Sequence, residues 1–234
     1  MLRGVVIKGN KIINSLYYNR FISHLFHTSV YCLKHELDDC DSVLDLGCGS
    51  DSPIKYCHIY QSIGADGFPS SVRDSKNKGI HNQYVLSDLR NTNFRSASFD
   101  TVILIEVIEH LSKKEGELLL EKAETWARKK VVVSSPNGYF PQPDINGNPY
   151  FRHISGWEIR KMVARGYKAH GLAGLKFLRK ESTLEQRATD DLFSTIKFRP
   201  KIFWLIVAEL TQVITYYFPK LAFEVFYVKR LEDY

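Results

Sequence analysis

Cysteine, long apolar runs and clustered charge are all scarce in this 234-residue sequence, and each scarcity removes a class of protein. Only four cysteines occur, Cys32, Cys40, Cys48 and Cys57, and no two form a C-x-x-C pair. Zinc ribbons, thioredoxin-like redox sites and disulfide-stapled secreted scaffolds are thereby excluded, and a reduced, cytoplasmic chain is expected. No block of five or six like charges is present, so the formal net charge of +6 is spread thinly and nucleic acid is not the expected partner. The opening residues, MLRGVVIKGNKIINSLYY, lack an unbroken apolar core of signal-peptide length and are expected to remain in the mature protein. The one long apolar stretch, Ile202 to Phe218, carries Glu209, Gln212 and two threonines and is marginal for a bilayer span. Neither an internal repeat nor a low-complexity tract occurs.

What remains is an ordinary globular balance, 44% hydrophobic and 25% charged, in a chain long enough for one large α/β domain. Apolar residues at Phe21, Ile22, Leu25, Phe26, Val30 and Leu33 have helical spacing and predict a helix within Leu16 to Leu37. VLDLG then reads as a buried strand running into a tight turn. SIGADGF, YVLSDL, FDTVILIEVIEHL, KKVVVSSPN and YKAHGLAGLKFL each hold a further strand, with helical or loop segments between most of them. That alternation is the pattern of βαβ units and a mainly parallel sheet. KKEGELLLEKAETWARK is the clearest helix, and SGWEIRKMVARGY a second, with Ser155 as its N-cap and Gly166 as its stop. The tail reads as a helix halted before Pro219 and a final strand, LAFEVFYVKRL. One domain over 1–234 is expected, with an N-terminal helical extension (1–40), a core (41–177) and a C-terminal helix and strand (178–234).

Chemistry concentrates at the strand ends. VLDLGCGSD places Asp45 two residues before a G-x-G turn, where Gly47 and Gly49 let a ligand approach the backbone. The dinucleotide fingerprint G-x-G-x-x-G is incomplete, because Ser52 and Pro53 follow. Asp66, nineteen residues after Gly47, ends the second strand, where a carboxylate can accept both hydroxyls of a ribose. Asp88 ends the third, where it could accept a hydrogen bond from an adenine amino group.

Three acids at three successive strand ends give a sequence that resembles the class I S-adenosylmethionine-dependent methyltransferase superfamily, in particular its small-molecule and ubiquinone-pathway-like branch, from about Ser42 to Gly174. The resemblance implies a Rossmann-like α/β fold with a mainly parallel seven-stranded sheet, helices on both faces, and S-adenosyl-L-methionine as cofactor. It assigns Asp45, Gly47 and Gly49 to the methionine part, Asp66 to the ribose, and Asp88 with Leu89 to the adenine. The block SFDTVILIEVIEHL matches the fourth-strand motif beside the sulfonium and adds Glu106 to the cofactor set. Asp51 departs from the pattern, since many members carry a third glycine there.

Glu106, Glu109 and His110 could converge on one spot and suit a divalent ion. E-x-x-E-H looks like the metal-holding pattern of ubiquinone-pathway O-methyltransferases and of methyltransferases of small-RNA 3′ ends. A capped helix start without metal is the preferred alternative. If the acceptor needs a base, His110, His153 and Glu109 are the candidates, and Asn137 lies where loops meet at the sheet edge.

The expected function is methyl transfer to a small-molecule, lipid or saccharide acceptor. RNA or protein methylation and a non-catalytic partner-binding or membrane-binding scaffold are the alternatives. Lys197, Arg199, Lys201, Trp204, Tyr216, Tyr217 and Lys220 flank an apolar helix, so 197–220 could make peripheral membrane contact. Packing of that helix on the sheet or in a homodimer is preferred. Either arrangement predicts burial of Phe203, Leu205 and Ile206.

Overall fold

The computed structural model describes residues 27–142, 149–180 and 195–231. Seven strands form one sheet: β1 (Ser42–Leu46), β2 (Gln61–Asp66), β3 (Gln83–Leu86), β4 (Phe99–Ile105), β5 (Ala127–Pro136), β6 (Lys168–Leu175) and β7 (Ala222–Arg230). Their order is β3-β2-β1-β4-β5-β7-β6, mostly parallel with one antiparallel hairpin. Every residue of β1 is buried, and β4 and β5 are nearly so. Such continuous apolar strands suit a parallel sheet covered on both faces. The helices among the described residues are α1 (Ser29–Leu37), α2 (Pro69–Asn77), α3 (Lys113–Trp126), α4 (Ile159–Ala164) and α5 (Lys201–Tyr217). Of the helix expected within Leu16 to Leu37, residues 16–26 lie outside the described residues, and α1 is the remainder.

The chain groups into two compact units. One holds 33–169 and 225–231. Its core packs Leu44, Leu46, Val102, Leu104, Val131 and Val133 of the sheet against Leu119, Leu120, Ala123 and Trp126 of α3. α3 starts at a capping box, in which the Ser112 hydroxyl accepts from Glu115 N and the Glu115 carboxylate accepts from Ser112 N. The expected cap of α4 is not formed: the helix begins after Glu158, and the Ser155 hydroxyl donates to the Ile108 carbonyl instead. Gly166 does stop α4, at φ +95°.

The other unit holds 27–32, 170–180 and 195–224. Its small core is Leu178, Ile196, Leu205 and Ala208. α5 turns Leu205, Ala208, Gln212 and Thr215 inward. The expected burial holds for Leu205 alone, because Phe203 and Ile206 are 55% and 54% exposed on the opposite face.

A carboxylate ties the helical layer to the strands of the first unit. Glu124 of α3 accepts from Arg165 Nε at 2.8 Å, Tyr167 Oη at 3.0 Å and Lys229 Nζ at 2.8 Å. Burial opposes its ionisation, but the bonds from Arg165 and Lys229 outweigh that and hold its pKa below the ordinary value. A carboxyl depressed on folding contributes stability above its unfolded pKa and loses it as pH falls through the folded one. Glu124→Gln should therefore cost about 2 kcal/mol at neutral pH. In urea titrations the gap between variant and wild type should close below about pH 4.

Candidate active site

The carboxyl ends of β1 to β4 meet on one edge because their registers align: Leu46 pairs with Ala65 and Leu104, and Asp66 with Leu86. The strand order reverses at β1, between β2 and β4, the switch point where open α/β sheets bind ligands. A cavity there is lined by Gly47, Gly49, Asp66, Asp88, Leu89, Glu106 and His110, with Val107, Leu111, Tyr150 and Phe151 among its further walls. Seven of the ten residues expected at the site therefore line one cavity, and Asp45, Glu109 and His153 are not in its wall.

The turn after β1 has the form a backbone cradle needs. Gly47 and Gly49 have φ of +69° and +55°, and a Cβ on Gly47 would lie 2.5 Å from Val107 Cγ2. Gly47 N and Cys48 N both donate to Ala65 O, at 2.7 and 3.1 Å, tying the turn to β2. Asp45 does not line the cavity. Its carboxylate, 2% exposed, accepts from Ser52 Oγ at 2.5 Å and lies 3.3 Å from His81 Nε2, bracing the turn from beneath. Asp51, where a third glycine was expected, is engaged by Lys55 and Lys78 and also lies outside the cavity lining.

Asp66 accepts from Gly49 N through one oxygen at 2.9 Å and from Phe68 N through the other at 2.8 Å. Each oxygen keeps a second lone pair, enough for two ribose hydroxyls. Burial raises its pKa, against the two backbone bonds. Asp88 differs. Arg90 gives it four hydrogen bonds, from N, Nη2 and twice from Nε, and holds its pKa low. Those bonds occupy the acceptor capacity an adenine amino group would need.

Glu106 follows β4 at φ +56°, a left-handed conformation that a non-glycine residue adopts at a cost. Its carboxylate accepts from Ser134 Oγ at 3.0 Å. Sequence spacing grouped Glu106 with Glu109 and His110, but the structure puts Glu106 on the cavity wall and groups Glu109, His110 and His153, with ligand atoms within 4.8 Å of one another. A single 3-10 turn, Ile108–His110, carries the first two, so they precede the start of α3 and do not begin it. The segment bearing His153 is bound to that turn, since Ile154 N and Ser155 N both donate to Glu109 O.

Both imidazoles are anchored through Nδ1, His110 to Arg152 O at 3.1 Å and His153 to Phe140 O at 2.8 Å. A carbonyl only accepts, so each Nδ1 carries a proton in these bonds, which in the neutral ring leaves the lone pair on Nε2. One carboxylate oxygen and two such imidazoles fit a divalent transition ion. Asn137 follows β5, with a backbone bridge to Trp157, and is not in the cavity wall.

Residues 44–133 match the methyltransferase-domain family model. The chain is 31% identical over 114 residues to pavine N-methyltransferase of Thalictrum flavum subsp. glaucum, covering 44% of this chain and 31% of that one. Its fold is that of an Archaeoglobus fulgidus SAM-dependent methyltransferase (TM-score 0.52, 16% identity, 90% and 98% of the two chains). It is also that of the Haloferax volcanii methyltransferase solved with the Trm112 activator (TM-score 0.53, 14% identity, 99% and 96%). Residues 44–133 thus resemble the methyltransferase domain of the class I S-adenosylmethionine-dependent superfamily. The chain spans under a third of the length of the curated relatives it matches.

Within this methyltransferase fold, sequence reasoning missed the residues beneath the glycine turn. Ser52 stood beside the motif but was weighed only as a missing glycine. His81 had one signal, Gly64 inside β2: a Cβ there would lie 2.2 Å from His81 Cδ2, so glycine lets the imidazole cross the strand to Asp45.

The two cavity acids should respond differently to removal. Asp66→Ala should weaken S-adenosylmethionine binding on the order of a hundredfold, as two charge-assisted hydrogen bonds are lost. Asp88→Ala should weaken it no more than about threefold, roughly half of one neutral hydrogen bond. Titration calorimetry on both variants measures the contrast, and equal losses would mean that Asp88 leaves Arg90 when cofactor binds.

Proposed function

We propose that this chain transfers a methyl group from S-adenosylmethionine to a hydroxyl or amine of a small-molecule, lipid or saccharide acceptor. The observation that carries the reading is the position of His110, which lines the cavity of the glycine turn and Asp66 and also belongs to the Glu109–His153 cluster. Cofactor groups and proton-accepting groups thus share one wall. The relationship to a plant N-methyltransferase supports a small acceptor. The four thiols support a reducing, cytoplasmic setting.

Bound S-adenosylmethionine supplies a methyl group already activated on a sulfonium. The residues have two tasks. The glycine turn, Asp66 and Leu89 would hold the nucleoside and amino-acid ends of the cofactor and so orient it toward the acceptor. His153 or His110, through the Nε2 lone pair set by its anchored Nδ1, takes the proton the acceptor loses, and Glu109 is the third candidate for that task. A second reading is favoured by the cluster itself: Glu109, His110 and His153 would hold a divalent ion that lowers the pKa of an acceptor hydroxyl.

Incorporation of labelled methyl groups into small-molecule and lipid extracts tests the activity. Once an acceptor is found, His110→Gln or His153→Gln should lower kcat on the order of a hundredfold or more while leaving cofactor affinity within about twofold. Base catalysis predicts that EDTA leaves turnover unchanged, whereas the ion reading predicts loss with recovery on adding magnesium, manganese or zinc. Full turnover by both histidine variants would remove the cluster from the reaction.

A further inference from the structure

The helix α5 is amphipathic in the reverse sense. A helix at a protein surface normally turns its apolar stripe to the core and its polar residues to water. Here every exposed residue of α5 is apolar or aromatic: Ile202, Phe203, Ile206, Leu210, Val213, Ile214 and Tyr217. The spacing from Ile202 through Ile206, Leu210 and Val213 to Tyr217 is four, four, three and four, one stripe along the whole helix, and exposed Phe218 and Leu221 extend it.

The polar side chains point inward and are used there. Gln212 bridges the β6 backbone, accepting from Gly174 N and donating to Gly171 O, both at 2.9 Å. Thr211 Oγ1 accepts from Leu175 N at 3.2 Å. Glu209 pairs with the buried Arg179 guanidinium at 3.1 Å. These bonds fix the rotation of the helix, so the apolar stripe cannot turn under without breaking them.

We propose that this stripe is an interfacial anchor that lies on an anionic lipid bilayer. Charge selects the occupant. Lys197 and Arg199 are exposed and Lys201 half-buried at one end of α5, and Lys220 is exposed at the other. Glu209, turned inward onto Arg179, is the one carboxylate between residues 195 and 221. Cations at the amino end oppose the helix dipole, so they do not stabilise the helix and fit a negatively charged surface. A second copy fits poorly: with the stripes face to face, parallel or antiparallel, cationic ends meet cationic ends with no exposed acid between them.

The helix is too short to cross. Its 17 residues span about 25 Å, against a hydrocarbon core of about 30 Å. No helix among the described residues is long and apolar enough for a membrane span. It therefore lies in the interface, as basic-flanked apolar helices do. The inference does not rest on the proposed chemistry.

Co-sedimentation of the full chain with phosphatidylcholine vesicles, with and without phosphatidylserine, tests it. The wild type should sediment with the anionic vesicles and be released by salt. Ile206→Asp with Leu210→Asp, two outward positions, should cut binding by at least about tenfold. Lys197→Glu with Arg199→Glu and Lys220→Glu should abolish the preference for phosphatidylserine. A wild type that stays in the supernatant with both vesicles would overturn the proposal. So would vesicle binding unchanged in both variants, or a dimer in light scattering that the aspartate pair dissociates while vesicle binding is absent.

Discussion

The buried carboxylate of Asp45 is the constraint on which the cofactor edge depends. A polar group at 2% exposure is tolerated only with partners: the carboxylate accepts from the Ser52 hydroxyl, and His81 Nε2 lies 3.3 Å away. Ser52 lies just past the glycine turn, so its bond to Asp45 folds the chain back beneath Gly47 and Gly49. Asp66 then closes the turn from the side by accepting from Gly49 N. Two strand-end carboxylates thus hold one loop, and only Asp66 also presents itself to the cavity. The motif acid of β1 shapes the cradle, and the acid of β2 is part of its wall.

The same economy recurs beyond β4. Glu106 turns the chain at a left-handed φ, and the 3-10 turn that follows aims Glu109 and His110 toward a segment more than forty residues later in the chain, where His153 waits. The carbonyls of Arg152 and Phe140 orient the imidazoles. Strain and irregular backbone gather here, where a functional site would be expected to depart from local rules. α5 is the second departure, with its polar residues spent on β6 and its apolar residues on the outside.

The strands, their parallel arrangement and the strand-end acids were legible in the sequence because each is written in a local pattern. A buried parallel strand is a short apolar run, a tight turn is a glycine pair, and an acid at a strand end follows within one or two residues. The helix of KKEGELLLEKAETWARK announced itself by periodicity, and its final turn supplied the Glu124 clamp that no local pattern shows. Ser155 was misjudged as a cap because a serine before a helical run is ambiguous: its hydroxyl found the Ile108 carbonyl of a distant turn.

By itself, then, the sequence determined the fold class, the glycine turn and the acids at the ends of β1, β2 and β3, all consequences of short-range spacing. The tertiary structure alone decided which of those acids has acceptor capacity to offer a ligand, since Arg90 saturates Asp88 and Asp45 turns away to Ser52. It also decided that His153, and not Glu106, joins Glu109 and His110, and that the apolar face of α5 looks outward. The last two outcomes depend on contacts between residues far apart in the chain, and the first on which way neighbouring side chains turn, neither of which periodicity and motif spacing encode. The direction of α5 is the clearest case: hydrophobicity marks the helix, but only the hydrogen bonds of Gln212 and Thr211 to β6 say which side is in.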